Sequence, residues 1–127
     1  QRQMCIRDRG AIVTVGSMSG FISNKPPKQV NYNSFKASVH QLTRSLAGEW
    51  ADRGVRVNSV APTYVNTPMS NITAKDSQYF DVWMQGTPMR RMIEPKEVTA
   101  AIHFLASPAA SAITGAIFPV DAGYTIW

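Results

Sequence analysis

Residues 11–20 read AIVTVGSMSG, residues 32–36 read YNSFK and residues 55–62 read VRVNSVAP. The run Ala11-Ile12-Val13-Thr14-Val15 is rich in β-branched residues and uncharged, the composition of a strand buried on both faces of a parallel sheet. Gly16-Ser17-Met18-Ser19-Gly20 ends it with mostly small residues that can turn sharply. A loop follows over residues 21–31, marked by Asn24, Lys25 and the Pro26-Pro27 pair. From about Asn31 the pattern becomes helical. Phe35, Val39, Leu42, Leu46 and Trp50 recur at spacings of three and four and define one apolar face, until Gly54 stops the helix. Residues 55–61 read as a second strand, closed by Pro62. A strand, a helix and a strand in this order form a crossover, which makes the strands parallel.

Beyond the crossover the pattern is less regular. Residues 63–88 contain Pro68 and Pro88, a polar start and a short helical stretch over 78–84 carrying Tyr79, Phe80 and Trp83. Segments of this kind in compact domains are usually functional or disordered. Glu94-Pro95 opens another helix, with Pro in its first turn and Glu97 near the positive end of the helix dipole. Val98, Ala101, Ile102 and Leu105 form its inner face, and Ser107-Pro108 ends it. Residues 116–120 read as a last strand, and Asp121 beyond it is expected to orient the C-terminal segment. The order strand, helix, strand, variable segment, helix, strand is the signature of an α/β domain, with no boundary inside it. Residues 1–9, QRQMCIRDR, fit no template, because Met4, Cys5 and Ile6 are adjacent rather than periodic. They read as a non-native leader before a structured unit over residues 10–127.

Composition removes several function classes. Of the 127 residues 44% are hydrophobic, enough for a core and too many for a disordered chain. One cysteine, Cys5, can form neither an internal disulfide nor a CxxC metal site. His40 and His103 lack metal-ligand spacing and are expected to be surface or satisfied residues. No apolar run approaches the roughly 18 residues of a spanning helix, so the expectation is a soluble cytoplasmic protein without a membrane. Thirteen Lys and Arg against eight Asp and Glu give a net charge of +5. Three of those arginines, Arg2, Arg7 and Arg9, lie in the first nine residues, and the other basic residues are scattered. Without a basic stripe or an aromatic ladder, nucleic acid is not an expected partner. Arg90-Arg91 reads as a solvated turn.

The chemistry is carried by Tyr32 and Lys36, four residues apart on one helix and so on one face. A free tyrosine is about one part in a thousand phenolate at neutral pH. A neighbouring cation favours the phenolate, and a tyrosine so tuned can exchange a proton with an alcohol or a carbonyl. Ser17 stands at the end of a strand, where an α/β sheet places ligands, and its hydroxyl can hydrogen-bond a substrate oxygen as charge develops there. An isolated Tyr-x-x-x-Lys is weak. Strand, serine turn, Tyr-x-x-x-Lys and second strand in succession are specific.

With these motifs, residues 10–127 resemble the short-chain dehydrogenase/reductase family. Residues 11–20 match its strand and serine turn, and Tyr32 to Lys36 match its Tyr-x-x-x-Lys. Residues 56–62 match the segment before its nicotinamide-contacting turn, with Thr67-Pro68 at that turn's end, and residues 120–124 match its closing strand. The resemblance implies a partial Rossmann-like doubly wound sheet lacking its N-terminal strands. It makes Tyr32 the acid/base, Lys36 the cation that favours its phenolate and holds the nicotinamide ribose, and Ser17 the group that positions the substrate oxygen. Ser19 is the rival, but the family's serine is usually followed by two residues and a glycine, which selects Ser17. Pro62, Val65 and Thr67 would border the nicotinamide, and the cofactor would be NAD or NADP. The loop NKPPKQVNY and the ending AGYTIW look most like members that oxidise polyols. The alternatives are a 3-oxoacyl thioester reductase of the same family, or a non-catalytic module dimerising through the helix from Phe35 to Trp50. A full-length enzyme would be a homo-oligomer, dimer or tetramer.

Two positions depart from the family pattern: Thr63 and Ala122 stand where glycine is usual or frequent. If those turns need a positive φ, Thr63 is expected to be the more disruptive of the two. The family's Gly-rich phosphate turn, the residue that separates NAD from NADP and the catalytic Asn precede the serine strand, and none is among these residues. The chain alone is therefore expected to be an unstable, inactive fragment that does not bind a dinucleotide tightly.

Overall fold

The computed structural model describes residues 10–70 and 77–127. The leader reading of residues 1–9, and part of the variable segment, lie outside the described residues. The elements are β1 (Gly10–Val15), α1 (Val30–Trp50), β2 (Val55–Pro62), α2 (Ser77–Gly86), α3 (Pro95–Ala106) and β3 (Ile117–Val120). The strands form one parallel sheet in the order β1-β2-β3, with Gly10 paired to Val55, Val15 to Val60, and Pro62 to Val120. This is the expected α/β architecture with a partial parallel sheet.

Local sequence explains the element ends. A single 3-10 turn, Ala51–Arg53, extends α1 until Gly54 takes φ 72° and returns its N–H to the Ala51 carbonyl at 3.0 Å. Glu94 and Glu97 form a reciprocal capping box at the start of α3 with Pro95 behind them, which satisfies two otherwise orphaned N–H groups. Arg91 joins this cap through two 2.7 Å bonds to the Glu97 carboxylate. Arg90 donates to the Met84 and Gln85 carbonyls at the end of α2. The pair lies in an exposed turn, as expected, and each guanidinium also bonds to a helix end.

Helices cover both faces of the sheet. The Thr14 hydroxyl meets that of Thr43 in α1 at 2.9 Å. Arg56, whose side chain leaves the other face of β2, donates to the carbonyls of Leu105, Ser107 and Ile113 at 2.8, 3.1 and 3.2 Å. Successive strand residues point to opposite faces, so α1 lies on one side and α3 on the other. Val57, Val60, Ala61 and Leu105 are fully buried at the centre.

Two expectations about burial are corrected. The residues of α1 turned inward are His40, Thr43 and Ala47, all at most 3% exposed, whereas Phe35 and Leu42 are 74% and 52% exposed. The apolar stripe and the sheet-facing stripe are neighbours on the helix, sharing Val39, Leu46 and Trp50 as a half-buried border. The sheet takes the stripe of small and polar side chains because it approaches closely there. In addition, β1 pairs only with β2 among the described residues, and Ile12 and Val15 are 40% and 51% exposed. Among the described residues it therefore lies at the edge of the sheet, with the composition of an interior strand.

Candidate active site

All the sequence-predicted site residues sit where the parallel strands end, the position at which α/β sheets bind ligands. β1 runs into Gly16, whose N–H still pairs with the Val60 carbonyl at 2.8 Å. Ser17 then leaves the strand in extended conformation and caps the 3-10 turn Met18–Gly20 by accepting the Ser19 N–H at 3.1 Å. A hydroxyl that accepts one bond keeps its own proton to donate. Ser17 is buried but for its edge, at 7% exposure.

Tyr32 lies in the first turn of α1 and is 43% exposed. One turn on, the Lys36 ammonium stands 5.6 Å from the centre of the Tyr32 ring. It donates to the Val15 carbonyl at 3.0 Å, two residues before Ser17. This bond ties the Tyr-Lys face of α1 to the strand that delivers the serine, and uses one of three ammonium donors.

Pro62 closes β2, the central strand, and is buried. Beside it the Thr63 hydroxyl donates to the Met18 sulfur at 3.0 Å, joining the turn after β2 to the serine turn. Val65 forms an isolated bridge to Ile93, and the Thr67 hydroxyl bonds that of Ser70 at 2.8 Å. Val65 and Thr67 thus shape the wall after β2 through contacts within it, whereas Tyr32, Lys36 and the strand leading to Ser17 are drawn directly together. Thr63 adopts no positive φ, and it is Ala122 that does, at 51°. The expected order of disruption is reversed: Thr63 fits its turn and Ala122 carries the strain.

Aromatic rings pack against the turn after β2. Trp83 of α2 is 4% exposed and stacks on Tyr64, with centroids 4.0 Å apart, while its indole N–H donates to the Pro26 carbonyl at 2.8 Å. Tyr79 stacks on Trp83, and Tyr124 meets Tyr64 edge-on at 5.6 Å. Burial and the neighbouring Tyr124 push the Tyr64 phenol well above its ordinary value, so it stays neutral. The loop before α1, the turn after β2, α2 and the C-terminal segment are thereby knit together. Asp121 orients that last segment as expected, accepting from the Gly123 and Thr125 N–H groups and the Thr125 hydroxyl.

Sequence reasoning missed two residues. Tyr64 carries no motif, and its role depends on rings brought from two other segments, α2 and the C-terminal segment. His40 is 2% exposed and its Nε2 has no partner, contrary to the expected surface or satisfied histidine. Its signal was available: it continues the line of Tyr32 and Lys36 at the same four-residue spacing. A larger cavity of about 740 Å³ lies where the strands begin, lined by Gly10, Gly54, Val55 and Thr114, at the end of the sheet opposite this chemistry.

A serine turn, a Tyr-Lys pair tied to it and a parallel α/β sheet coincide here, and the family comparison agrees. The sequence model of the family described as Enoyl-(Acyl carrier protein) reductase matches residues 1–125. The chain belongs to the short-chain dehydrogenase/reductase family. It is 56% identical over 126 residues to galactitol 2-dehydrogenase of Rhizobium johnstonii, covering 99% of this chain and 49% of that protein. It is 46% identical over 121 residues to the ribulose-forming D-arabinitol 2-dehydrogenase of Scheffersomyces stipitis, covering 94% and 44% of the two. The fold is similar, at TM-score 0.89 and 36% identity, to the crystal structure of a putative NAD(P)-dependent gluconate 5-dehydrogenase from Beutenbergia cavernae with bound NADP. That match covers 95% of this chain and 48% of the other. The chain spans about half the length of the curated relatives it matches. The relatives are polyol dehydrogenases, and a nicotinamide cofactor is indicated for the family. Among the described residues no helix is long and apolar enough to cross a membrane, and no group of His, Cys, Asp and Glu could hold a metal ion.

Proposed function

We propose that this chain is the catalytic half of an NAD- or NADP-dependent polyol dehydrogenase domain, interconverting a secondary alcohol and its ketone. The observation that carries the reading is the Lys36 ammonium, 5.6 Å from the Tyr32 ring centre and bonded at 3.0 Å to the Val15 carbonyl of the strand that leads to Ser17. The likeness to galactitol and arabinitol 2-dehydrogenases supports a polyol over a thioester substrate.

Lys36 and Tyr32 fit the nicotinamide ribose, since two ammonium donors remain after the bond to Val15 and the Tyr32 ring is open on one side. When bound, the nicotinamide would accept the hydride of the carbinol carbon in the oxidative direction and supply it in the reverse. Pro62, Val65 and Thr67 would border it. Tyr32 Oη takes the proton of the substrate hydroxyl as the carbonyl forms and returns it during reduction. Lys36 supplies a positive charge on the Tyr32 side of the site, its ammonium 5.6 Å from the ring centre. Ser17 Oγ, already oriented by the Ser19 N–H, donates to the substrate oxygen and holds it toward Tyr32.

The test is Tyr32→Phe in the complete dehydrogenase domain, assayed with galactitol and D-arabinitol and with both cofactors. Turnover should fall by about a thousandfold or more, since the proton then has no acceptor. Retained turnover would refute the mechanism. The exposed Phe35 and Leu42 favour assembly of the full-length protein as a homo-oligomer through α1, which sedimentation measures.

A further inference from the structure

We propose that His40 is a positioning residue for the serine of this site. On that reading of the site, its imidazole is the wedge around which residues 16–20 fold, so that it sets where Ser17 stands relative to Tyr32 and Lys36. The ring lies one helical turn beyond Lys36 and is 2% exposed. Its enclosure by the serine turn is close. A Cβ at Gly16 would stand 2.6 Å from Nε2 and 2.8 Å from Cδ2 of His40, and one at Gly20 would stand 2.5 Å from Cε1 and 2.7 Å from Nδ1. The two glycines bracketing the turn are therefore the room the ring occupies. The Phe21 ring packs on the imidazole at 4.6 Å between centroids.

The polar atoms of the ring show that it is more than a filler. The Ser17 backbone is a polar neighbour of the ring, while Nε2 is buried without a partner. Burial holds the imidazole below its ordinary value, reinforced by Arg44 and Lys36, so it is neutral when the site works. A buried unpartnered nitrogen destabilises a fold, and a hydrocarbon ring of similar shape would avoid that. A residue that breaks a local rule of stability at a site belongs to the site's geometry. By filling the space between Gly16 and Gly20 the ring keeps Ser17 Oγ in register with the Ser19 N–H, the bond that aims the hydroxyl.

The decisive variant is His40→Phe in the complete dehydrogenase domain, which keeps the ring and removes both nitrogens. We expect a melting temperature within about 4 °C of the parent, because one orphan is removed and one polar contact is lost. The value of kcat should fall about tenfold or more, with the cofactor KM within about twofold. Hydrogen exchange at the Ser19 amide should accelerate about tenfold as its bond to Ser17 Oγ loosens. His40→Asn, whose amide nitrogen can stand near the Nδ1 position, should recover part of both losses and carries the same two readouts if the Phe variant does not fold. Unchanged kcat or unchanged Ser19 exchange overturns the proposal. If the parent domain turns over no polyol with either cofactor, the polyol dehydrogenase reading fails instead, and Ser19 exchange alone decides whether His40 holds the turn.

Discussion

Replacing Gly123 by alanine tests the strained turn after β3. Gly123 adopts φ 87°, a conformation that side chains other than hydrogen rarely take. A Cβ there would stand 2.9, 3.1 and 3.3 Å from Cγ, Cβ and Cδ of Pro88, a rigid ring that cannot swing aside. The turn cannot relax easily either, because the Asp121 carboxylate holds the Gly123 N–H at 3.0 Å and the Thr125 N–H at 2.9 Å. Left-handed backbone costs an alanine about 1–2 kcal/mol. Overpacking against the proline adds about 1–3 kcal/mol, and the stiffer unfolded chain returns about 0.4–1 kcal/mol. The expected loss is about 1–5 kcal/mol, read as a lower urea midpoint at unchanged slope in the complete domain. Ala122→Gly, one residue earlier, is the internal control. There the φ of 51° already strains an alanine, so glycine should leave stability unchanged or raise it by up to about 1 kcal/mol. A Gly123→Ala loss below about 1 kcal/mol, or an equal loss in both variants, would show that the turn is not held as described.

Arg56→Met should destabilise the domain by about 2–3 kcal/mol, since three carbonyls around the end of α3 lose a charged donor. A thermal melt with no shift would contradict that capping role. The Glu97 carboxyl is held at about 2, first by its bonds to Arg91 and then by the Glu94 N–H. Its folded value lies below its unfolded one. The stability it confers is therefore complete above roughly pH 4.5 and is lost as pH falls toward about 2. Glu97→Gln should flatten urea midpoints across that window, and an unaltered acid limb would remove the pair from the account.

Much of the fold was legible because the relevant interactions are local. A β-branched uncharged run placed β1, helical periodicity placed α1 and Pro62 closed β2, Gly54 marked the end of the helix, and Pro95 with Glu97 marked the start of α3, although the capping box itself was not foreseen. Tyr32 and Lys36 were legible as a pair because one helical turn fixes their separation. The burial of α1 was not. Periodicity finds the most apolar stripe, while the sheet selected the adjacent one, where Thr43 can meet Thr14 and His40 can enter the space left by Gly16 and Gly20. Nor could the sequence rank Thr63 against Ala122, because the sign of φ in a turn depends on what the turn is anchored to.

By itself, then, the sequence determined the α/β order, the parallel crossover and the shared helical face of Tyr32 and Lys36, all properties of spacing along one chain, while Ser17 was singled out by resemblance to the family. Only tertiary structure decided that Lys36 reaches back to Val15, that Tyr64 and Trp83 stack across the site, and that His40 lies beneath the serine turn. These contacts join residues 19 to 24 positions apart. Close packing between segments, rather than the preference of any one segment, sets which side chains meet.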